Sequence, residues 1–309
     1  MFPGQASQYT GMGKDIAYSY KEAMDVYDEA NSILGYDLKK ICFEGPDREL
    51  YKVRIGQSAL VTTSIAIFKV IHKYGIKPNI CAGLSLGEYS ALVAAKALHF
   101  KDALILLEKR AKYMTDALKN VRGAMGVVIG LQKEAILNAI NLSIDEGIVE
   151  IANYNCPGQI VITGEHSAVK KVCRICTEKG ADRVSLLPVK LPFHSSLLAE
   201  AGDRLMEDLE KINYSEPEVP VLSNYKTTKY TKEVLPSILT KQMYNSVLWE
   251  DIVYLMINEG VNTFIEIGPG DTVTKFVNRI NESIKAEIDT LNVENIPTLN
   301  TVIKLLKEN

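Results

Sequence analysis

A serine framed by two glycines is the first feature of the sequence that could do chemistry: Gly83-Leu84-Ser85-Leu86-Gly87. Gly-x-Ser-x-Gly between a short apolar strand and a helix-forming run is typical of a nucleophile elbow. Such a turn needs glycines because a Cβ would collide with the neighbouring strand and helix. It exposes the hydroxyl, and the amides that follow it point to where an oxyanion would form. An incidental serine in a strand-to-helix turn is the alternative, and the flanking strand and helix favour the nucleophile.

A serine nucleophile needs a base, and the chain has four histidines. His72, His99 and His166 fall at predicted helix ends, which are ordinary capping or surface positions. His194 lies in a loop, Leu191-Pro192-Phe193-His194-Ser195-Ser196, after a predicted strand and before a helix. Loop residues often converge on a site, so we prefer His194 as the base, although a single histidine is more often structural.

Arg110 interrupts the apolar face of the helix predicted over residues 101–119. A charge on a buried face must be paired. One interpretation is an internal salt bridge or a side chain that extends to the surface. The other is a fixed guanidinium that binds a substrate carboxylate through two hydrogen bonds.

The elements that position these residues alternate between helical patterns and short β-branched runs, which indicates an α/β fold. Residues 122–189 follow the order β-α-β-β-α-β, which predicts an inserted ferredoxin-like subdomain. Residues 1–121 and 190–309 then form the large domain. The main predicted helices cover 14–34, 57–75, 86–97, 101–119, 133–141, 167–179, 197–212 and 246–259, with a last one from Thr272, and the strands 124–129, 149–153, 159–164, 183–189, 219–223 and 263–267.

Length and composition set the broad class. A chain of 309 residues predicts roughly two units of about 150 residues, or one large domain with an insertion. A net charge of −3 argues against nucleic acid and anionic membranes as partners. No apolar run approaches the roughly 20 residues that span a bilayer, and the N-terminus lacks the features of a signal peptide. We therefore expect a soluble cytoplasmic protein.

The five scattered cysteines predict reduced thiols instead of a disulfide framework. Cys173 and Cys176 follow the helical spacing of Val169 and Val172. We interpret both thiols as small core residues, with metal binding as the weaker alternative.

Taken together, the motifs resemble the acyltransferase family of fatty-acid and polyketide synthesis, which includes malonyl-CoA:acyl-carrier-protein transacylases. The similarity runs in order from Phe2 to about Ile280. The matching segments are Phe2-Pro3-Gly4-Gln5, Gly83–Leu92, Arg110 in Glu-Lys-Arg-Ala-Lys-Tyr-Met, Gly123-Ala124-Met125, Asn153–Gln159, Pro192-Phe193-His194, Gln242-Met243-Tyr244-Asn245 and Glu266-Ile267-Gly268-Pro269-Gly270.

The resemblance implies an α/β-hydrolase-like large domain with an inserted ferredoxin-like small subdomain. It also implies that Ser85 is the nucleophile and His194 the base. The backbone carbonyl of Gln242, and not an acidic side chain, would orient the histidine. Backbone amides of Gln5 and Leu86 would form the oxyanion hole.

The same resemblance implies the substrate-binding residues Arg110, Gln57 and Phe193. Arg110 would bind the malonyl carboxylate, and Gln57 would line the pocket. Phe193 resembles the malonyl-selecting form of the family, since its ring leaves less room for a 2-methyl branch.

The implied reaction moves a malonyl group from malonyl-CoA to the phosphopantetheine thiol of acyl carrier protein through a malonyl-serine, in fatty-acid biosynthesis. It needs no metal or other cofactor, and we expect a monomer. An acidic carrier protein would bind a basic patch. The weak candidates, for which solvated surface residues are an equal interpretation, are Arg183, Lys190, Lys226 and Lys229.

Three positions depart from the family pattern. Leu84 stands where histidine is common, a form that also resembles free-standing acyltransferases that load polyketide synthases. Ala6 stands where glycine is frequent and tolerates a positive φ poorly, so we expect a reshaped loop. Most relatives have a few apolar residues before Phe-Pro-Gly-Gln that form a first strand, and we expect its sheet partners to be left unpaired here.

Three alternative functions are also compatible with the sequence. The chain could load polyketide synthase carrier domains in trans, which carrier preference would reveal. It could be a serine hydrolase that acts on acyl carriers, against which Arg110 counts. It could also be a non-catalytic carrier-binding protein, against which the intact Ser85 and His194 count.

Overall fold

A computed structural model describes residues 1–189 and 191–307. The helices are α1 (Lys14–Ser19), α2 (Lys21–Leu34), α3 (Leu38–Glu44), α4 (Asp47–Leu50), α5 (Val53–Lys73), α6 (Gly87–Ala94), α7 (Phe100–Ala117), α8 (Lys133–Asn141), α9 (His166–Glu178), α10 (Ala199–Leu209), α11 (Leu235–Gln242), α12 (Trp249–Asn258), α13 (Thr272–Ile284) and α14 (Ile296–Lys307). The strands are β1 (Cys81–Ala82), β2 (Gly123–Ile129), β3 (Val149–Cys156), β4 (Gln159–Glu165), β5 (Arg183–Leu186), β6 (Val221–Leu222), β7 (Val247–Leu248), β8 (Thr263–Ile267) and β9 (Asp289–Val293).

Short parallel strands form the sheet beside the serine turn. Strand β1 pairs with β6, and β8 pairs with β9, in both cases in parallel. Residues 1–2 connect the two pairs: Phe2 N–H donates to Ala82 O at 3.0 Å, and Ile267 N–H donates to Met1 O at 2.8 Å. Parallel strands that alternate with helices confirm the predicted α/β class.

Met1 and Phe2 pair with both neighbouring strands, which corrects the expectation that these strands lack a partner. Met1 and Phe2 occupy a strand position between β1 and β8, and the Met1 ammonium donates to Ile265 O at 2.7 Å. Next to Met1, strands β1 and β8 border a cavity of about 570 Å³. Apolar side chains that line it include Phe68, Ile71, Ile76, Ile80 and Val261.

Helix α5 is the central helix of the core. By length and composition it could cross a membrane, which corrects the expectation that no apolar run reaches that length. However, 83% of its most apolar window is buried inside the protein. A core helix passes the same test because packing on all sides selects the same apolar residues as lipid does.

The second sheet has the strand order β5-β2-β4-β3-β7. Its first four strands and the helices α8 and α9 have the ferredoxin-like arrangement, as predicted, because β2 pairs antiparallel with both β4 and β5. A separate apolar cluster, which includes Val128, Ile162 and Val172, fills the space between this sheet and its helices. Strand β7 extends the sheet in parallel from outside residues 122–189. The boundaries of the two units remain a prediction.

The sequence pattern predicted one helix incorrectly and missed several other elements. The single helix predicted over 14–34 is two helices, because Tyr20 is extended (φ −132°, ψ 118°) and its hydroxyl contacts that of Tyr74 at 2.9 Å. Tertiary contact thus interrupts a helix that no glycine or proline marks. Five further elements, α3, α4, α11, β9 and α14, had no predicted counterpart, and strand β7 lies within the helix predicted over residues 246–259.

Candidate active site

Ser85 lies on the turn between β1 and α6 and has a φ of +51°. Both flanking positions need glycine because other backbone atoms lie where a Cβ would stand. A Cβ on Gly83 would lie 1.9 Å from the Gly87 carbonyl carbon, and one on Gly87 would lie 2.4 Å from Phe2 O. The sequence prediction of a tight strand-to-helix turn is thus confirmed, and the glycines let the N-terminal segment cross it.

We expect Gly83→Ala to lower the free energy of unfolding by about 3 kcal/mol, since the new methyl group overlaps backbone that cannot rotate away. Urea denaturation measures the change. Gly35→Ala is the control, because a Cβ there meets nothing within 4 Å and only the positive φ of +73° is unfavourable, at about 1 kcal/mol. Equal losses at both glycines would contradict the steric argument.

The imidazole of His194 lies directly against the serine. Its Nε2 is 2.6 Å from Ser85 Oγ, and its Nδ1 is 3.0 Å from the backbone oxygen of Gln242. A carbonyl only accepts hydrogen bonds, so Nδ1 carries the proton and Nε2 accepts from the serine hydroxyl. This is the protonation state that a general base requires.

Burial and, to a smaller extent, the positive charge of Arg110 lower the pKa of His194 to about 4, against the opposing effect of the backbone hydrogen bond to Gln242. The histidine is therefore neutral at pH 7, although no carboxylate supports it through Nδ1. A solvent-exposed histidine would titrate near pH 6.5.

Two backbone N–H groups beside the serine are unpaired. Those of Gln5 and Leu86 donate no hydrogen bond within residues 1–189 and 191–307. Gly4 packs so closely on the serine turn that a Cβ would lie 2.6 Å from Leu84 O, which brings Gln5 next to it. The Gln57 side chain lies 3.5 Å from Gln5 Oε1.

The loop is not reshaped around Ala6 in the way the sequence suggested. Ala6 keeps the positive φ of +84° that a glycine would adopt, and its N–H donates to Gln8 Oε1 at 2.8 Å. The strain of an L-residue there, of about 1–2 kcal/mol, is offset by that local hydrogen bond.

Arg110 on α7 is buried, with 3% of its surface exposed. It forms no ion pair or hydrogen bond with any residue that the structure describes, and its guanidinium lies 6.0 Å from the ring centre of Tyr89. Burial lowers the pKa of Arg110. The interpretation as an internal salt bridge is therefore wrong, and a buried cation without a partner favours an anionic ligand.

Asn224 and Glu88 also belong to this site, and the sequence did not single them out. Asn224 Oδ1 accepts from Ser85 N–H at 2.6 Å, and Glu88 Oε1 accepts from Asn224 N–H at 3.1 Å. Burial raises the pKa of Glu88 to about 7. Two signals could have found them: an acidic residue among apolar neighbours on α6, and a polar residue at the carboxyl end of a strand, where ligands bind in α/β sheets.

Phe193 and the two cysteines of α9 are also among the residues that the sequence analysis discussed. Phe193 precedes His194 and is buried in the main core cluster. Cys176 is buried and Cys173 packs near Gly126, as expected of core thiols.

The candidate basic patch remains a prediction. Lys190 lies outside the described residues. Lys229 forms an ion pair with Glu259, while Arg183 and Lys226 are exposed.

A family profile described as acyl transferase domain matches residues 1–308. The chain is 40% identical over 310 residues to malonyl CoA-acyl carrier protein transacylase of Bacillus subtilis, which covers 100% of this chain and 96% of that protein. It is 40% identical to the protein of the same name from Escherichia coli K12, over 93% of each. A solved structure of a malonyl-transacylase in complex with a type II PKS acyl-carrier protein matches with a TM-score of 0.95, at 38% identity and 98% coverage of both chains. The chain therefore belongs to the acyl transferase domain family.

Proposed function

We propose that this protein transfers the malonyl group from malonyl-CoA to the phosphopantetheine thiol of acyl carrier protein, in fatty-acid biosynthesis. The observation that carries the proposal is a buried cation, Arg110, that forms no ion pair within residues 1–189 and 191–307. Its charge lowers the pKa of His194, which is hydrogen-bonded to Ser85. A carboxylated acyl group supplies the missing anion, and the serine supplies the nucleophile. The family membership of the whole chain agrees with this chemistry.

In the first half-reaction, Ser85 Oγ attacks the thioester carbonyl carbon of malonyl-CoA, and its proton passes to His194 Nε2. The N–H groups of Gln5 and Leu86 stabilise the oxyanion of the tetrahedral intermediate. Collapse of the intermediate breaks the carbon–sulfur bond. Coenzyme A leaves with the proton from Nε2, and malonyl-Ser85 remains.

In the second half-reaction, the phosphopantetheine thiol gives its proton to His194 Nε2 and attacks the ester carbonyl carbon of malonyl-Ser85. The same two N–H groups bind the oxyanion again. The carbon–Oγ bond breaks, Ser85 recovers its proton from Nε2, and malonyl-carrier protein leaves. The carbonyl of Gln242 keeps His194 in one tautomer through both steps.

The acyl specificity rests on Arg110, with Gln57 and Phe193 as further substrate-binding residues. Arg110 holds the malonyl carboxylate through two parallel hydrogen bonds, which suits a planar guanidinium. We further propose a monomeric, cytoplasmic enzyme. It needs no cofactor, since both half-reactions use only groups of this chain and of its two substrates.

The proposal is tested by incubating the protein with malonyl-CoA and phosphopantetheinylated acyl carrier protein, and measuring the mass of the carrier. We expect a malonyl-sized gain on the modified carrier and none on the carrier without phosphopantetheine. Accumulation of free malonate without carrier modification would show a hydrolase instead.

A second function, loading of polyketide synthase carriers, is favoured by one finding. The solved structure with a TM-score of 0.95 contains a type II PKS acyl-carrier protein. The two functions share all chemical steps and differ in the carrier. Comparing kcat/KM for a fatty-acid and a polyketide carrier protein separates them, since the physiological carrier should react faster.

The pH dependence of kcat/KM for malonyl-CoA follows from His194. Because its pKa is about 4, the base is neutral down to about pH 5 and is lost by protonation as the pH falls through 4. We expect a constant kcat/KM from pH 8 to about pH 5, then a tenfold fall per pH unit below about pH 4. Arg110→Met should move this acid limb to higher pH. Because the pKa of Glu88 in the same site is about 7, the contradicting result is a limb centred between pH 6 and 7 that persists in Glu88→Gln, provided that the fluorescence of Trp249 shows a folded protein.

A further inference from the structure

The backbone of Ser85 is held on both sides by side-chain carboxamides that lie far away in the sequence. Asn224 Oδ1 accepts from Ser85 N–H at 2.6 Å, and Asn224 Nδ2 donates to Gly83 O at 2.8 Å. On the other side, Gln242 Nε2 donates to Ser85 O at 2.8 Å. A carboxamide is suited to the first position because one group must both accept and donate across the turn.

These contacts stabilise a backbone conformation that is unfavourable on its own. Ser85 has a φ of +51°, which costs an L-residue about 1–2 kcal/mol. Such a conformation persists only where the surroundings determine it. The N–H and the carbonyl of Ser85 are both held by hydrogen bonds. The orientation of the Ser85 backbone therefore does not depend on the bound substrate.

Asn224 is itself fixed by two backbone hydrogen bonds. Its N–H donates to Glu88 Oε1 at 3.1 Å, and its carbonyl accepts from Leu248 N–H at 2.9 Å. Glu88 also accepts from the Tyr230 hydroxyl at 2.5 Å. Because Glu88 is on α6, directly after the serine turn, the carboxylate connects Asn224 to the helix that carries the turn.

The contact from Gln242 bears on the oxyanion. The Ser85 carbonyl and the Leu86 N–H belong to one planar peptide group and point in opposite directions. Ser85 O also accepts from Glu88 N–H at 3.1 Å. The shorter hydrogen bond from Gln242 is a second restraint on this peptide plane, and so on where the Leu86 N–H points, and it polarises that N–H as a donor. Since Asn224 occupies the Ser85 N–H, Leu86 provides the first free N–H after the serine.

We propose that the side chains of Asn224 and Gln242 are positioning residues that lock the Ser85 backbone and direct the Leu86 N–H at the oxyanion. Gln242 then has two separable roles, since its backbone carbonyl orients His194 and its side chain orients the oxyanion donor. The inference rests on the proposed acyl transfer and adds these two side chains to it.

The test uses Gln242→Met and Asn224→Leu, which remove the hydrogen bonds and keep similar volumes. We expect each to lower kcat by about 10²-fold, the effect of displacing a catalytic group slightly or weakening an oxyanion donor. The KM for malonyl-CoA should stay within about threefold. Acylation of Ser85 and transfer to carrier protein, measured in single turnovers, should slow by similar factors because both pass through an oxyanion.

Two readouts separate positioning from a general loss of structure. In Gln242→Met the backbone carbonyl remains, so the acid limb of kcat/KM should not move. Asn31→Leu is the matched control, because this carboxamide also makes two hydrogen bonds, to Lys39 N–H and Asp37 Oδ1, in the α2–α3 connection. It should lose stability and keep kcat.

Wild-type kcat in Gln242→Met, or slowing of the carrier step alone, would overturn the inference. If Asn224→Leu does not fold, Gln242→Met decides the question. Failure of the proposed function itself looks different: the unmodified protein would then form no malonyl-Ser85.

Discussion

Replacement of Ser85 by alanine is expected to abolish the covalent malonyl adduct that forms when the protein is incubated with malonyl-CoA. Transfer to carrier protein should fall by about 10⁴-fold or more, because removing the nucleophile of a serine protease lowers kcat by roughly 10⁶-fold. Intact-protein mass spectrometry detects the adduct, and a carrier-loading assay measures the rate. The result follows from the 2.6 Å contact between Ser85 Oγ and His194 Nε2, which activates this hydroxyl.

The matched control for that experiment is Ser90→Ala on the same helix, α6. Ser90 is buried, and its hydroxyl has no hydrogen-bond partner among the residues described. Its loss should leave both the adduct and the rate intact. A malonyl adduct on Ser85→Ala would show that another residue is acylated and would remove Ser85 from the mechanism.

Arg110→Met is expected to change the acyl specificity of the protein. We expect kcat/KM for malonyl-CoA to fall by about 10²- to 10³-fold, since losing one partner of a buried charge pair costs about 2–5 kcal/mol. The kcat/KM for acetyl-CoA, which carries no carboxylate, should stay the same or rise. The ratio of the two values is the measurement, and an equal fall for both substrates would contradict the role of Arg110.

Two further variants sharpen this experiment. Arg110→Lys keeps the charge and loses the planar fork, so its ratio should lie between those of the unmodified protein and Arg110→Met. Arg54→Met removes an exposed arginine that pairs with Glu108. It should leave kcat/KM unchanged for both malonyl-CoA and acetyl-CoA.

Arg110→Met should stabilise the fold although it lowers activity toward malonyl-CoA. In the absence of substrate, Arg110 is a buried cation with no ion pair in the described chain, and such a charge opposes folding. We therefore expect the free energy of unfolding of Arg110→Met to rise. A large fall would show that the guanidinium stabilises the fold.

Local sequence was sufficient wherever neighbouring residues decide the conformation. The serine turn could be predicted because Gly83 and Gly87 are the residues that a crossing backbone requires. The order of elements in residues 122–189 could be predicted because short strands and amphipathic helices have distinct periods. The anomaly of Arg110 could also be recognised, since a charge in an apolar stripe conflicts with the helical pattern.

The sequence by itself thus determined the fold class, the nucleophile turn and the residues whose chemistry suits acyl transfer. Only the tertiary structure decided which of them meet. It brings His194 to Ser85 across 109 positions and Asn224 across 139, and it gives Arg110 no ion pair among the residues described. Pattern cannot specify such contacts, because hydrogen bonds between distant residues depend on how whole elements pack. For the same reason the two roles proposed for Gln242 could be inferred only once its backbone oxygen and its side chain were seen to contact different residues, His194 and Ser85.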